Sequence, residues 1–196
     1  MDWQTDLVAI PGPPFGEAPR TKWMAERFAD AGVRDVQVDE IGNVLGYLPA
    51  AKLPPESSGP IIVLSAHLDT VFPADTPLNP TVTSADGVTT LNAPGACDNG
   101  AGVAGLLAIV NALIQAKVNL ASPLLVLGNV GEEGEGDLRG VRHFYHQEEL
   151  AGRVAALGER ALPGRLRRGM GRGGVPIRSG SPATPTSLCR CSGPRR

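Results

Sequence analysis

Ile61-Ile62-Val63-Leu64-Ser65-Ala66-His67-Leu68-Asp69-Thr70-Val71 is the stretch whose reading decides how this chain folds. Its first four residues are a continuous apolar run, the pattern of a strand covered on both faces, as in a parallel sheet. An imidazole and a carboxylate follow at once. In an extended segment residues two apart project to the same face, so His67 and Asp69 share one. One can then bind a metal ion while the other takes the remaining ring N–H, as metal-binding imidazoles require.

Two later segments repeat this placement of chemistry. Ala96-Cys97-Asp98-Asn99-Gly100 opens a long apolar helix running to about Lys117, and Gly131-Glu132-Glu133-Gly134 follows the apolar run Pro123 to Val130, which reads as another buried strand. One histidine and several acids at strand ends form a ligand set that a divalent ion such as zinc accepts. Around them, Trp23, Met24, Phe28 and Ala31 fall on one helical face between Pro19 and Ala31, with Gly32 as a stop. Val36-x-Val38 and Val44-x-x-Tyr47 read as short strands about a turn at Ile41–Asn43, and Val88 to Leu91 as another. Leu53 to Pro60 reads as a Pro/Ser-rich loop, and Asp137 as the cap of a helix over Leu138 to Glu149. Strands alternating with helices make an α/β domain whose functional loops lie at strand ends.

Composition narrows the function classes. The chain has 196 residues, 42% of them apolar and 4% aromatic, enough for one domain with its own core. The apolar run Val103 to Ile114 is too short for a membrane span, and the start of the chain lacks a basic and then apolar leader pattern. Three cysteines make no disulfide framework, so the cytoplasm is the expected location and no membrane partner is expected. The net charge of −2 hides an uneven distribution. Residues 151–196 carry ten arginines against the single acid Glu159, which leaves residues 1–150 acidic. An acidic body is the wrong sign for phosphate, so nucleic acid is not an expected partner of residues 1–150, while the arginine-rich tail keeps phosphate binding as an alternative.

The order of the motifs is more specific than any one of them. Ile10-Pro11 with Phe15-Gly16-Glu17, then Asp39-Glu40-Ile41-Gly42-Asn43-Val44, His67-Leu68-Asp69-Thr70-Val71, Asp98-Asn99-Gly100-Ala101-Gly102 and Gly131-Glu132-Glu133-Gly134 follow one another from about Asp6 to about Glu149. In this order the chain resembles the M20 family of dinuclear-zinc metallopeptidases and amidohydrolases. The resemblance implies a mixed-sheet, three-layer zinc-exopeptidase-like domain and two Zn2+ ions in a complete site. It implies that His67 binds one zinc, that Asp98 bridges both, often with a cis peptide bond after it, and that Glu133 binds the other. Asp69 would orient His67, and Glu132 would be the general base in metal-assisted attack of water on an amide. The implied substrate is a short peptide, or an N-acyl amino acid in a deacylase. The spelling around Phe15–Glu17 and Gly136–Gly140 leans towards peptidase-T-like members.

The resemblance also implies features with no match here: an acid about two dozen residues after the Glu-Glu pair, a late histidine, and a small dimerisation or lid domain. Glu159 is the only acid near the first position, and no histidine follows His146. The domain reading is therefore residues 1–150 as the N-terminal part of the catalytic domain. Residues 151–196 read as a disordered Arg/Gly/Pro-rich tail, of the composition that a frame shift in GC-rich coding sequence yields. With three protein ligands left for two metals, a remnant that binds metal weakly and turns over little is the competing expectation. His143 and His146, three apart, read as a solvent-facing or partly packed helix surface, and Cys97 as a small packed loop residue.

Overall fold

The structure is a computed structural model that describes residues 2–48, 61–120 and 122–146, and the backbone of 154–159 and 190–191. Its centre is a five-stranded mixed sheet. In chain order the elements are α1 (Asp2–Val8), α2 (Ala18–Ala31), β1 (Arg34–Val38), β2 (Val44–Tyr47), β3 (Ile61–His67), β4 (Thr81–Ala85) and β5 (Val88–Asn92). Then follow α3 (Gly102–Gln115), β6 (Leu124–Asn129), α4 (Arg139–His146), β7 (Val154–Glu159) and β8 (Arg190–Cys191). The main sheet runs β1-β2-β6-β3-β7, and β4, β5 and β8 form a second, antiparallel sheet. β3 pairs parallel with both β6 and β7, and the antiparallel hairpin β1-β2 closes the β6 side.

The two parallel strands β3 and β6 are the apolar runs picked out in the sequence. Every residue of β6 is buried, as expected of a strand enclosed on both faces. On one face α2 and α3 supply Met24, Phe28, Val103, Leu107 and Val110 to a core with Val44, Ala66 and Val126. On the other, Phe144 of α4 packs with Leu45, Ile61, Val63, Leu125 and Leu127. α2 ends where the sequence predicts, with Gly32 in the left-handed conformation (φ 89°) and its N–H bonded to Ala29 O.

Several expectations need correction. The helix read from Asn99 begins instead as a π-helical turn, Ala96–Ala101, with non-helical backbone at Asp98 and Asn99, before regular α3 starts at Gly102. The segment Ala96–Gln115 is apolar and long enough, at 20 residues, to pass for a membrane span. Here it packs along one side on β3 and α2, as a core helix does. Asp137 does not cap α4; it lies in the left-handed region (φ 50°) and its carboxylate meets the Arg142 guanidinium. α1 and β4 were not read from the sequence, being a single polar-faced helical turn or two and a fully exposed strand. Beyond the composition change at residue 150, Val154–Glu159 is a strand, β7. Val154-Ala155-Ala156-Leu157 is a short apolar run and joins the sheet beside β3, where one paired edge is enough. The expected loop over 53–60, the end of the helix at 147–149, and the expected disorder of the tail beyond 159, apart from Arg190–Cys191, lie outside the described residues.

Candidate metal centre

His67 is the last residue of β3, Asp69 stands two beyond it, and Glu132 and Glu133 follow β6 in the neighbouring loop. Because β3 and β6 are parallel neighbours, both loops leave the same edge of the sheet. The pairing continues through Leu68 N–H to Asn129 O (2.8 Å), and Ser65 Oγ donates to Asn129 Oδ1 (2.7 Å). The π-helical turn brings Asp98 to that edge, where its Oδ1 lies 3.0 Å from His67 Nε2. The Asp98–Asn99 peptide bond is cis. His67, Glu132 and Glu133 each offer a ligand atom, and these atoms lie within 4.8 Å of one another. The five residues singled out in the sequence therefore come together: His67, Glu132 and Glu133 converge, Asp98 hydrogen-bonds to His67 Nε2, and Asp69 stands behind.

Asp69 is fully buried and organises both loops. One carboxylate oxygen accepts the backbone N–H of Glu132 (3.0 Å), the other that of Glu133 (2.8 Å). Its Oδ1 also lies 3.6 Å from His67 Nδ1, a distance of ion pairing rather than hydrogen bonding. His67 Nδ1 is buried without a hydrogen-bond partner. Burial alone would push Asp69 towards neutrality, but His67 and the two loop N–H groups outweigh it and hold the carboxyl below its ordinary range.

The charges around His67 act on the ring in the same way. Burial lowers its pKa, yet Asp69, Glu132 and Asp98 outweigh burial and raise it to about 9. Glu133 is pushed up, by burial first and then by Glu132 and Asp98. Three carboxylates and an imidazole this close, with one carboxyl pushed up by burial and then by its like-charged neighbours, are a donor set that a divalent cation would satisfy. The tautomer fits as well: Nε2 faces the acids, and Nδ1 faces the carboxylate that can take its proton. The residues present fit a divalent metal.

Reasoning from sequence missed the supports. Arg20 is buried on α2; its Nε donates to Ile10 O and one terminal nitrogen to Leu68 O, both at 2.8 Å. Burial lowers its pKa to about 10, against the opposing pull of Asp69. Asn43 Oδ1 accepts Val130 N–H (3.1 Å), and its amide nitrogen donates to Gly140 O and Asp39 Oδ2. One terminal nitrogen of Arg139 donates to both carboxylate oxygens of Glu17, at 2.8 and 2.7 Å. Glu17 and Asn43 stand in the quoted motifs, but nothing in their spelling names a partner so distant in the chain. Glu159 ends β7 in register with Ser65, so this acid's backbone lies near the same sheet edge. His143 lies on α4, with Nε2 3.7 Å from Asp39 and 3.8 Å from Glu40, away from the site residues.

Among solved structures, aminopeptidase PepT from Bacillus cereus matches with a TM-score of 0.55 and 24% identity, over 68% of this chain and 36% of that one. An aminopeptidase from the archaeon Desulfurococcus kamchatkensis matches with a TM-score of 0.60 and 13% identity, over 85% and 65%. A dinuclear metal-binding peptidase of the M20 family from Bacillus subtilis matches with 0.56 and 18%, over 80% and 40%. At these identities the likeness is one of fold: an α/β mixed-sheet fold of the zinc-exopeptidase kind. The chain spans between 36% and 65% of the lengths of these three. No curated protein matches it. The family model that matches is that of peptidase family M28, over residues 50–157, which takes in β3, the π-helical turn and the Glu132–Glu133 loop. Acids and imidazole at successive strand ends are what the metal chemistry demands, so motif order alone does not separate M20 from M28. Matched over more than half of its length, the chain belongs to peptidase family M28.

Proposed function

We propose that this chain carries the metal-binding half of a zinc-dependent hydrolase that cleaves amide bonds of short peptides from one end, with the motif order of an M20-type enzyme. The observation that carries the proposal is the meeting of His67, Asp98, Glu132 and Glu133 at the shared edge of β3 and β6. His67, Asp98 and Glu133 hold metal, and Asp69 orients His67 through Nδ1. A divalent ion so held supplies Lewis-acid activation of water and of the scissile carbonyl. Glu132 takes the proton of the attacking water on its carboxylate and delivers it to the leaving nitrogen. The loop N–H groups of Glu132 and Glu133, spent on Asp69, fix where that carboxylate can reach.

The test is hydrolysis of di- and tripeptides, beside N-acyl amino acids, with zinc, cobalt or manganese, for the chain and for Glu132→Gln. Turnover is expected to be slow, because three protein ligands serve the site among the described residues. It should fall by ~10²–10⁴ in the variant, with metal affinity changed little. Metal binding without turnover supports a non-catalytic metal-binding remnant, and turnover indifferent to Glu132 overturns the assignment of the base. Faster cleavage of the acyl amino acids would favour a deacylase.

A further inference from the structure

Neither arginine that bears on the site belongs to the chemistry above, and both reach back to the first turn of α2. Glu17 is the residue from which α2 starts, with Thr21 N–H bonded to its carbonyl, and it is only 3% exposed. Both its carboxylate oxygens grip Arg139. Arg139 in turn lies against the loop that carries the two glutamates. Its backbone N–H donates to Gly131 O (3.1 Å), and a Cβ built on Gly131 would meet its side-chain Cγ at 2.7 Å. Gly131 has φ 63°, so the backbone turns sharply against this side chain. The stacked ring of Phe15, 4.8 Å from the guanidinium, closes the other side. One turn further along α2, Arg20 holds the carbonyl of Leu68, between His67 and Asp69.

We propose that the first turn of α2 aligns the two halves of the metal centre, with Glu17 and Arg139 as positioning residues for the Glu132–Glu133 loop and Arg20 for the His67–Asp69 segment. The inference rests on reading His67 and Glu133 as metal ligands. Both oxygens of a buried carboxylate closing on one guanidinium nitrogen, at 2.8 and 2.7 Å, pin that nitrogen in place. The pair therefore sets where the loop leaves β6, and with it the distance from the Glu133 carboxylate to His67. Groups supporting a metal ligand from behind typically change metal affinity 10–100-fold when removed.

The experiment is a cobalt titration, read by visible absorption and by competition for affinity, with urea unfolding in chelator run in parallel. The proteins are the unaltered chain, Arg139→Met, Arg139→Lys, the double variant Glu17→Gln/Arg139→Met, and Arg27→Met. Arg27 pairs with Asp30 on the outside of the same helix (2.9 Å) and serves as the control. Arg139→Met is expected to weaken cobalt binding by roughly 10-fold or more and to shift its absorption band, with Arg139→Lys between it and the unaltered chain. The double variant strands no buried carboxylate, so it should regain stability while its affinity stays low. The control should bind as the unaltered chain does. Unchanged affinity and spectrum in folded Arg139→Lys, or affinity recovering together with stability in the double variant, would show that the pair is merely structural. An equal loss in Arg27→Met would do the same. Failure of the unaltered chain to bind cobalt would instead overturn the ligand assignment, and the inference with it.

Discussion

Replacing Asp69 by asparagine keeps the shape of the side chain and removes its charge. In the structure both carboxylate oxygens are occupied, by Glu132 N–H at 3.0 Å and Glu133 N–H at 2.8 Å, in a fully buried position. Asparagine offers one oxygen and one NH2 group, so one loop N–H must face a donor. A hydrogen bond to a charged group contributes ~1.5–3 kcal/mol, and a stranded buried donor costs ~1–3 kcal/mol. Relief from burying a charge offsets part of this, and the expected loss is about 3 kcal/mol. Against a total stability of ~5–15 kcal/mol this is readily measured. The assay is urea unfolding in chelator, followed by the fluorescence of Trp3 and Trp23, both packed against the core. The pH dependence is a second constraint. Asp69 has its folded pKa depressed. Its contribution is therefore present above the unfolded value, ~3.9, and is lost as pH falls through the lower folded value. The gap between the two proteins should be full at pH 7 and shrink below about pH 3.9. A gap under ~0.5 kcal/mol, the scatter of surface substitutions, or one that persists unchanged into strong acid, would refute the role given to this carboxylate.

Three further outcomes follow from the geometry around the site. His67, raised to about 9, is protonated at pH 7 in the metal-free protein, and a metal needs the neutral ring. Calorimetric titration with zinc in buffers of different ionisation heat should show about one proton released near pH 7 and little above about pH 9; no release would contradict the ligand role. In the metal-free chain the same raised pKa contributes stability fully present below ~6.5 and lost as pH rises through about 9. Asn43→Ala removes the acceptor of Val130 N–H and the donor to Gly140 O, all buried. It should destabilise by ~2–6 kcal/mol at ~1–3 kcal/mol per stranded group, and an unfolding midpoint within error of the parent would show that water replaces those bonds.

The parts of the fold legible in the chain are those in which local pattern and burial coincide. β3 and β6 are apolar runs ending in chemistry. α2 has apolar spacing on one face and Gly32 in the left-handed conformation that ends it. β7 was not legible, because the arginine-rich composition after residue 150 outweighs the four apolar residues of a strand that pairs with β3. The π-helical turn was not legible either, since the apolar residues after Asn99 keep a helical period whether or not the helix breaks at Asp98.

For the site, the sequence by itself pointed to His67, Asp69, Asp98, Glu132 and Glu133 as candidates, by residue type beside strand and loop signals and by motif order, and the structure places these five near one another. Residue type next to strand and loop signals is local information, and the ligand preference of a divalent ion selects among few residue types. Tertiary structure alone decided what holds them in place. Glu17 finds Arg139 from 122 residues away, Asn43 finds Val130 from 87, and Arg20 finds the Leu68 carbonyl from 48. A charged or amide residue in a linear sequence reads as solvated surface. Only when parallel pairing puts the ends of β3 and β6 side by side do buried N–H and C=O groups appear that need these partners, and the cost of leaving them unpaired then assigns each support its place.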